Sequence, residues 1–107
     1  MPNFDAIVIG SGHNGLVTAC YLARNNYKVL VLERDSTIGG AVRTETMFES
    51  EENPNGFRMD VGSSVHIMIH QTGIIEELEL EKYGLEYIDM DPIMSYPVPT
   101  GKGVIHF

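Results

Sequence analysis

The hydrophobic pattern at the start of the chain predicts a strand, a helix and a second strand in direct succession. Residues 6–9 form an unbroken apolar run, which is typical of a parallel strand covered on both faces. A helix is predicted from about residue 14 to residue 25, where two asparagines suit its end because Asn tolerates the left-handed conformation. The inner face of this helix is predicted from small and apolar residues at helical spacing: Leu16, Ala19, Cys20 and Ala23. The apolar run 27–32 predicts the second strand.

The apolar runs after residue 44 are shorter. Extended segments are predicted at 44–48 and 57–61, on either side of a polar loop with turn composition. A second helix is predicted over 72–83, with Thr72 as its N-cap and Gly84 directly after its end. The apolar face of this helix consists of Ile74, Ile75 and Leu78.

The last part of the chain predicts a strand at 85–90 and then an antiparallel hairpin. The hairpin pairs 94–99 with 104–107 around the turn 100–103, and two prolines confine its first strand to an edge. A doubly wound sheet needs more than two parallel strands, and only two are evident. We therefore expect an α/β fold with a Rossmann-like βαβ unit, an appended helix and a hairpin. We further expect this to be an incomplete domain, the N-terminal piece of a longer protein rather than an independent small one.

Composition and charge narrow the function classes. The 107 residues fit one domain, and 43% hydrophobic residues are typical of a globular protein. Residues 1–44 hold four basic and three acidic residues, whereas residues 45–107 hold three basic and twelve acidic ones. So acidic a chain is a poor match for nucleic acid, and the acidic residues are interpreted as a solvated face. No apolar run approaches a membrane span and no signal peptide opens the chain, so a cytoplasmic location is expected, with membrane-surface association left open. Cys20, the single cysteine, is predicted to be a packed thiol.

The turn between the first strand and the first helix carries the spacing G-x-G-x-x-G. Gly10 permits the tight turn, Gly12 lets the backbone approach a pyrophosphate, and Gly15 lets the helix pack closely on the strands. Glu33 closes the second strand, where a carboxylate accepts hydrogen bonds from a ribose 2′-OH and repels a 2′-phosphate. Together these features predict a site for a dinucleotide with an unphosphorylated ribose.

A second glycine pair, Gly39–Gly40, follows Glu33 and is not part of a plain NAD fingerprint. With it, the chain resembles flavoproteins that have a glutathione-reductase-like FAD domain. Within that group it is most similar to the phytoene-desaturase-related oxidoreductases, which include carotenoid desaturases, carotenoid isomerases and carotene ketolase-like enzymes. The resemblance is strongest in Gly-Ser-Gly-His-Asn-Gly-Leu at 10–16, Leu-Glu-Arg at 32–34, Ile-Gly-Gly-Ala at 38–41 and residues 56–64.

The resemblance implies FAD as the cofactor and assigns roles to particular positions. Ser11, Gly12 and Asn14 would line the pyrophosphate, Glu33 would hold the adenosine ribose, and Arg34 would lie at the adenine end. Backbone N–H groups of Gly40 and Ala41 would approach the pyrophosphate or ribityl chain, and residues 60–64 would return near the flavin ring. The candidate cofactor-binding residues are Gly10, Ser11, Gly12, Asn14, Gly15, Glu33, Arg34, Gly39, Gly40, Ala41, Arg43, Gly62, Ser63 and Ser64. Arg43 stays open between a phosphate contact and a surface arginine, because amine-oxidase relatives carry their arginine at the position of Ala41.

Three functions remain in view. The first is the N-terminal FAD-binding part of an oxidoreductase that acts on an apolar substrate, with carotenoids and other polyenes as one class, and whose remaining C-terminal part would be its partner. In it, residues 1–64 bind the nucleotide and residues 65–107 begin a substrate-side region. The second is the NAD-binding module of a dehydrogenase, and the third is a non-catalytic remnant that binds a partner. No catalytic residue is identified. No metal site is predicted, because His66 and His70 have no third ligand nearby, and the Met-containing run 65–69 is either core or the lining of an apolar channel.

Overall fold

A parallel strand pair joined by one helix forms the first part of the molecule. The computed structural model describes residues 3–99, 101 and 103–106. Strand β1 (Ala6–Ile9) is followed by helix α1 (His13–Arg24) and strand β2 (Val29–Leu32), and the two strands pair in parallel over all four positions. The predicted Rossmann-like βαβ unit is therefore confirmed.

The buried face of α1 differs from the prediction by about one position. Ala19 is buried and Leu22 is half-buried, whereas Cys20 and Ala23 are exposed. The predicted packed thiol is therefore wrong. A helix lying over only two strands buries a narrow stripe, and here the stripe is centred on the i, i+4, i+7 series that starts at Gly15.

Strand β1 is covered on one face only within the described residues. Ala6 and Val8 are half-buried, while Ile7 and Ile9 are 60% and 86% exposed. The expectation of a strand covered on both faces is therefore wrong for this part of the chain. Successive strand residues point to opposite faces, and α1 covers only one of them.

A second sheet follows the βαβ unit. Strands β3 (Thr44–Met47) and β4 (Phe57–Asp60) pair antiparallel, with Thr44 opposite Asp60. The Thr44 hydroxyl donates a hydrogen bond to Asp60 Oδ1 at 2.7 Å across the open end of the pair. Both extended segments and the polar loop between them are confirmed.

The predicted helix over 72–83 is not continuous. Helix α2 spans only Ile74–Glu77, and a 3-10 helix spans Leu80–Tyr83 after a break at Glu79, whose φ is 53°. Carboxylates three and four positions apart repel each other on one helix, and this stretch carries four of them. Its apolar face is confirmed, since Ile75 and Leu78 are buried.

A side-chain hydrogen bond joins helix α2 to α1. Tyr21 Oη donates a hydrogen bond to Glu77 Oε2 at 2.6 Å. Because this bond stabilises the protonated phenol, it raises the pKa of Tyr21. The contact links the second half of the chain to the βαβ unit.

The end of the chain forms a hairpin without the strand predicted before it. Residues 85–90 have no strand partner, so the predicted strand there is wrong. Strands β5 (Ser95–Pro97) and β6 (Val104–His106) pair antiparallel, which confirms the hairpin. Thr100, Lys102 and Phe107, which the pattern places in its turn and second strand, lie outside the described residues. Among the helices that are described, none is long and apolar enough to cross a membrane.

Candidate functional site

The glycine loop between β1 and α1 surrounds a small open cavity. Gly10 N–H donates to Leu32 O at 2.7 Å, which joins the start of the loop to the end of β2. The first N–H groups of α1 have no partners within the helix and lie at this cavity. Its volume is about 290 Å³, and its lining residues are Ile9, Gly10, Gly12, His13, Asn14, Gly15 and Ala41. We call this cavity the cradle.

Two glycines of the loop differ in what surrounds them. A Cβ on Gly12 would meet no atom within 4 Å, so the cradle leaves room for a ligand to approach this backbone. A Cβ on Gly15 would lie 2.2 Å from Gly10 O, so Gly15 is required by packing inside the protein. The close packing predicted at Gly15 is therefore observed, whereas the approach of a pyrophosphate to Gly12 stays a prediction. An uncovered helix N-terminus of this kind favours anionic ligands.

The second glycine pair lies directly against the first loop. Gly39 N–H donates to Ser11 O at 2.9 Å, and a Cβ on Gly40 would lie 3.0 Å from Gly12 Cα. A Cβ on Gly62 would lie 3.4 Å from Ala41 Cβ, so the returning segment reaches the same edge. Three distant stretches of sequence are thus brought together around the cradle.

The Glu33 carboxylate lies beneath the glycine loop and accepts four hydrogen bonds. Oε2 accepts from the N–H and the hydroxyl of Ser11 at 2.7 and 2.8 Å. Oε1 accepts from the N–H groups of Arg34 and Asp35 at 2.7 and 2.9 Å. A carboxylate offers about four acceptor positions, so all of them are filled from within the chain. A ribose hydroxyl would have to replace one of these donors.

These hydrogen bonds also set the acidity of Glu33. The N–H of Asp35, followed by the N–H and the hydroxyl of Ser11, lowers the pKa of the Glu33 carboxyl from 4.5 to about 2. Hydrogen bonds to the charged form favour it, so Glu33 is ionised throughout the neutral and weakly acidic range.

The free energy of unfolding is expected to decrease as the pH is lowered from 4.5 to about 2. Because the folded-state pKa is depressed, the contribution of Glu33 is fully present above pH 4.5 and is lost as the pH falls toward 2. The urea midpoint of Glu33→Gln, which keeps the size of the side chain but cannot ionise, should therefore approach that of the unmodified chain as the pH falls through this window. A difference between the two midpoints that stays constant through the window would contradict the assignment.

Arg43 is held by two acidic side chains rather than directed into the cradle. Its Nη1 donates to Asp35 Oδ2 at 3.2 Å, and its Nε forms an ion pair with Glu45 Oε1 at 2.5 Å. The hydrogen bond to Asp35 and the charge of Glu45 raise the pKa of the guanidinium. These two ion pairs tie β3 to the end of the βαβ unit, and a contact of Arg43 with a phosphate stays a prediction.

The other predicted site residues are spread more widely. Ser63 lies in a neighbouring groove with His13, and Ser64 lies in the next one. Arg34 contributes its N–H to Glu33. None of these three predicted residues lines the cradle, so their contacts with a cofactor stay predictions.

Sequence reasoning missed a hydrogen-bonded pair beside these grooves. His66 Nδ1 lies 3.1 Å from Tyr87 Oη, and His66 Nε2 lies 3.1 Å from Ser63 O. The His70 ring packs edge-on against Tyr87 with centroids 4.3 Å apart. The sequence pattern places Tyr87 in a strand, and no signal in it connects this residue with His66. Among the residues described here, no group of three or more His, Cys, Asp or Glu side chains could hold a metal ion.

Comparison with known protein families now identifies the fold family. The model of the NAD(P)-binding Rossmann-like domain family matches residues 8–78, which is more than half of the chain. The chain belongs to this family. The matched range of this Rossmann-like domain includes the cradle, Glu33, the second glycine pair and α2.

Curated relatives of this Rossmann-like domain include a protein with an oxidoreductase domain, a dehydrogenase subunit and an isomerase. The chain is 39% identical over 97 residues to pyridine nucleotide-disulfide oxidoreductase domain-containing protein 2 of Mus musculus. This alignment covers 91% of the chain. The chain is also 39% identical over 100 residues to a limonene dehydrogenase subunit of Castellaniella defragrans, and 39% identical over 104 residues to prolycopene isomerase 2, chloroplastic, of an Oncidium hybrid cultivar. These two alignments cover 94% and 97% of the chain. The chain spans only 15–17% of the length of these relatives. It is a dinucleotide-binding domain of an oxidoreductase family, and its cofactor class is a flavin or nicotinamide nucleotide.

Proposed function

We propose that this domain is the FAD-binding part of a flavin-dependent oxidoreductase that acts on an apolar substrate. The observation that carries the proposal is the contact between the two glycine motifs, in which Gly39 donates to Ser11 and Gly40 lies against Gly12. The second motif adds a glycine loop beside the one that a plain NAD site uses. A second glycine loop packed directly on the first suits the longer FAD molecule.

The residues present fit an FAD molecule at its adenosine diphosphate half. The open space at Gly12 and the N-terminus of α1 would hold the diphosphate, since backbone N–H groups and the helix dipole both favour anions there. Glu33 would accept a ribose hydroxyl in place of the Ser11 hydroxyl, which is the one donor among its four that can rotate away. When bound, FAD supplies the acceptor for a hydride from the substrate.

The grooves beside the cradle support the apolar class of substrate. One groove of about 440 Å³ includes Val42, Val65, Ile67, Met68 and Ile69 among its lining. The names of two relatives refer to limonene and prolycopene, which are both hydrocarbons. Carotenoid-type polyenes are one class of molecule with these properties.

A titration with three nucleotides tests the cofactor. The purified chain should bind FAD, which is measured by the change in flavin fluorescence and by a retained visible absorption band. It should bind ADP more weakly and NADH more weakly still. A chain that binds NADH but not FAD would instead be the NAD-binding module that the family description favours. A chain that binds none of the three nucleotides would contradict both assignments.

Replacing Ser11 by alanine should separate two effects. The variant removes one of the four donors to Glu33 while keeping the Ser11 backbone N–H, so we expect a loss of about 1 kcal/mol in the free energy of unfolding. The affinity for FAD should stay equal or rise by a few fold, because the ribose hydroxyl no longer competes with Ser11. Urea unfolding and fluorescence titration measure the two quantities. A tenfold loss of FAD affinity would mean that the Ser11 hydroxyl itself contacts the cofactor.

A further inference from the structure

Two grooves extend from the cradle in series. His13 lines both the cradle and the first groove, and Val65 and His66 line both the first groove and the second. The second groove has a volume of about 500 Å³, and its lining adds four apolar or aromatic residues, Tyr87, Ile88, Met90 and Ile93, and three polar ones, Ser64, His70 and Asp89. The three cavities share lining residues, so they adjoin one another along one path that begins at the glycine loop, and aliphatic side chains line part of the last two.

A hydrogen-bonded pair, His66 and Tyr87, lies among the aliphatic side chains of the second groove, whose other polar lining residues are Ser64, His70 and Asp89. His66 Nε2 faces the Ser63 carbonyl, which only accepts, so Nε2 carries the proton of the neutral ring. Nδ1 is then an acceptor, and the Tyr87 hydroxyl donates its single proton to it. This tautomer is assigned from the partners of the two nitrogens.

The direction of this bond fixes what Tyr87 offers to a ligand. Because its proton is engaged by His66, the Tyr87 oxygen has only lone pairs left. The edge-on contact with His70 and the bond to His66 hold the ring from two sides. Tyr87 therefore accepts a hydrogen bond and cannot donate one while His66 is in place.

We propose that Tyr87, oriented by His66, selects ligands that are apolar along their length and carry one hydroxyl group. The aliphatic lining takes the hydrocarbon part, and the ligand O–H donates to Tyr87 Oη. A hydrocarbon or an ether of the same shape leaves the Tyr87 lone pairs without a partner. The inference rests on the proposed function only for its claim that the path starts at the cofactor. Within the apolar class, which the hydrocarbon names of two relatives also support, it favours a molecule that carries one hydroxyl group.

The test compares two probes of equal size, decan-1-ol and 1-methoxynonane, by titration calorimetry on the full chain. The alcohol should bind about three- to tenfold more tightly than the ether, which corresponds to one hydrogen bond. In Tyr87→Phe the alcohol should lose this advantage while the affinity for the ether stays unchanged. Equal binding of both probes to the unmodified chain, binding of neither, or an unchanged ratio in Tyr87→Phe would overturn the proposal.

A second variant, His66→Ala, separates the effect of the hydrogen-bond direction at Tyr87 from the effect of the shape of the groove. In His66→Ala the Tyr87 proton is released, so the hydroxyl can donate to the ether oxygen. The preference should therefore move toward the ether by a gain in ether affinity, which a packing defect would not produce. An ether affinity that stays the same or falls would show that His66 does not set the direction of the bond. Thermal unfolding of each variant confirms that it is folded.

FAD binding is measured separately, and both probes are titrated with and without FAD. A normal alcohol preference without FAD binding would contradict the proposed function alone. Normal FAD binding without an alcohol preference would contradict the selection by Tyr87 alone.

Discussion

Replacing Gly15 by alanine should unfold the βαβ unit and abolish cofactor binding with it. The new Cβ would lie 2.2 Å from the Gly10 carbonyl oxygen and 3.2 Å from its carbon, and both are backbone atoms between β1 and α1. Relief requires α1 to move away from the strand, which would expose the buried Ala19. Overpacking costs about 1–3 kcal/mol and occasionally more, and a 2.2 Å contact with a backbone atom places this variant at the upper end of that range. Circular dichroism and urea unfolding would measure the loss, and FAD fluorescence would measure the accompanying loss of binding.

Gly12→Ala provides the matched control three positions earlier in the same loop. Its Cβ would meet no atom within 4 Å, and its backbone has ordinary φ and ψ angles of −70° and 171°. The variant should therefore fold with an unchanged urea midpoint. Because the methyl group would occupy the space where a diphosphate approaches the backbone, we expect the FAD affinity to fall at least about tenfold. A folded Gly15→Ala chain that binds FAD normally, or a Gly12→Ala chain with full affinity, would contradict the assigned roles.

The sequence pattern predicted local structure well where one short-range signal dominated. The apolar runs indicated β1 and β2, the glycine spacing indicated the turn and the start of α1, and Asn26 ends the helix with a φ of 64° as its residue type indicated. These features depend on neighbouring residues alone. The break at Glu79 was missed because a periodic apolar face also fits a helix that charge repulsion interrupts.

Features that depend on distant residues were predicted incompletely. A continuous apolar run indicates a strand but not whether both faces are covered, and Ile9 is 86% exposed. The pattern identifies Glu33 as a hydrogen-bond acceptor. The hydroxyl that donates to it in the structure, however, belongs to Ser11, 22 positions earlier. The pairing of His66 with Tyr87 spans 21 positions. Contacts of this kind depend on how the helices and strands pack together, so a local sequence pattern does not predict them.

Replacing Glu33 by alanine should lower the affinity of the chain for FAD and ADP. The variant removes a charged acceptor from the proposed ribose site. It also removes the two hydrogen bonds by which Glu33 holds Ser11 in the glycine loop. Loss of hydrogen bonds to a charged group corresponds to a fall in affinity of about 10- to 100-fold for FAD and ADP. Fluorescence titration measures both ligands, and Glu33→Gln, which keeps an acceptor oxygen, should lose less than Glu33→Ala.

A loosened glycine loop would also weaken binding, so a ratio of affinities is needed to assign the loss to the ribose contact. The Glu33 carboxylate, with its pKa held at about 2, is negatively charged at neutral pH and should repel a ribose 2′-phosphate. The unmodified chain should therefore prefer ADP-ribose over 2′-phospho-ADP-ribose, and Glu33→Ala should remove most of this preference. A general loosening of the glycine loop lowers the affinities for both ligands equally and leaves their ratio unchanged. An unchanged ratio in Glu33→Ala would thus show that the carboxylate serves only to fasten Ser11, and that the ribose lies elsewhere.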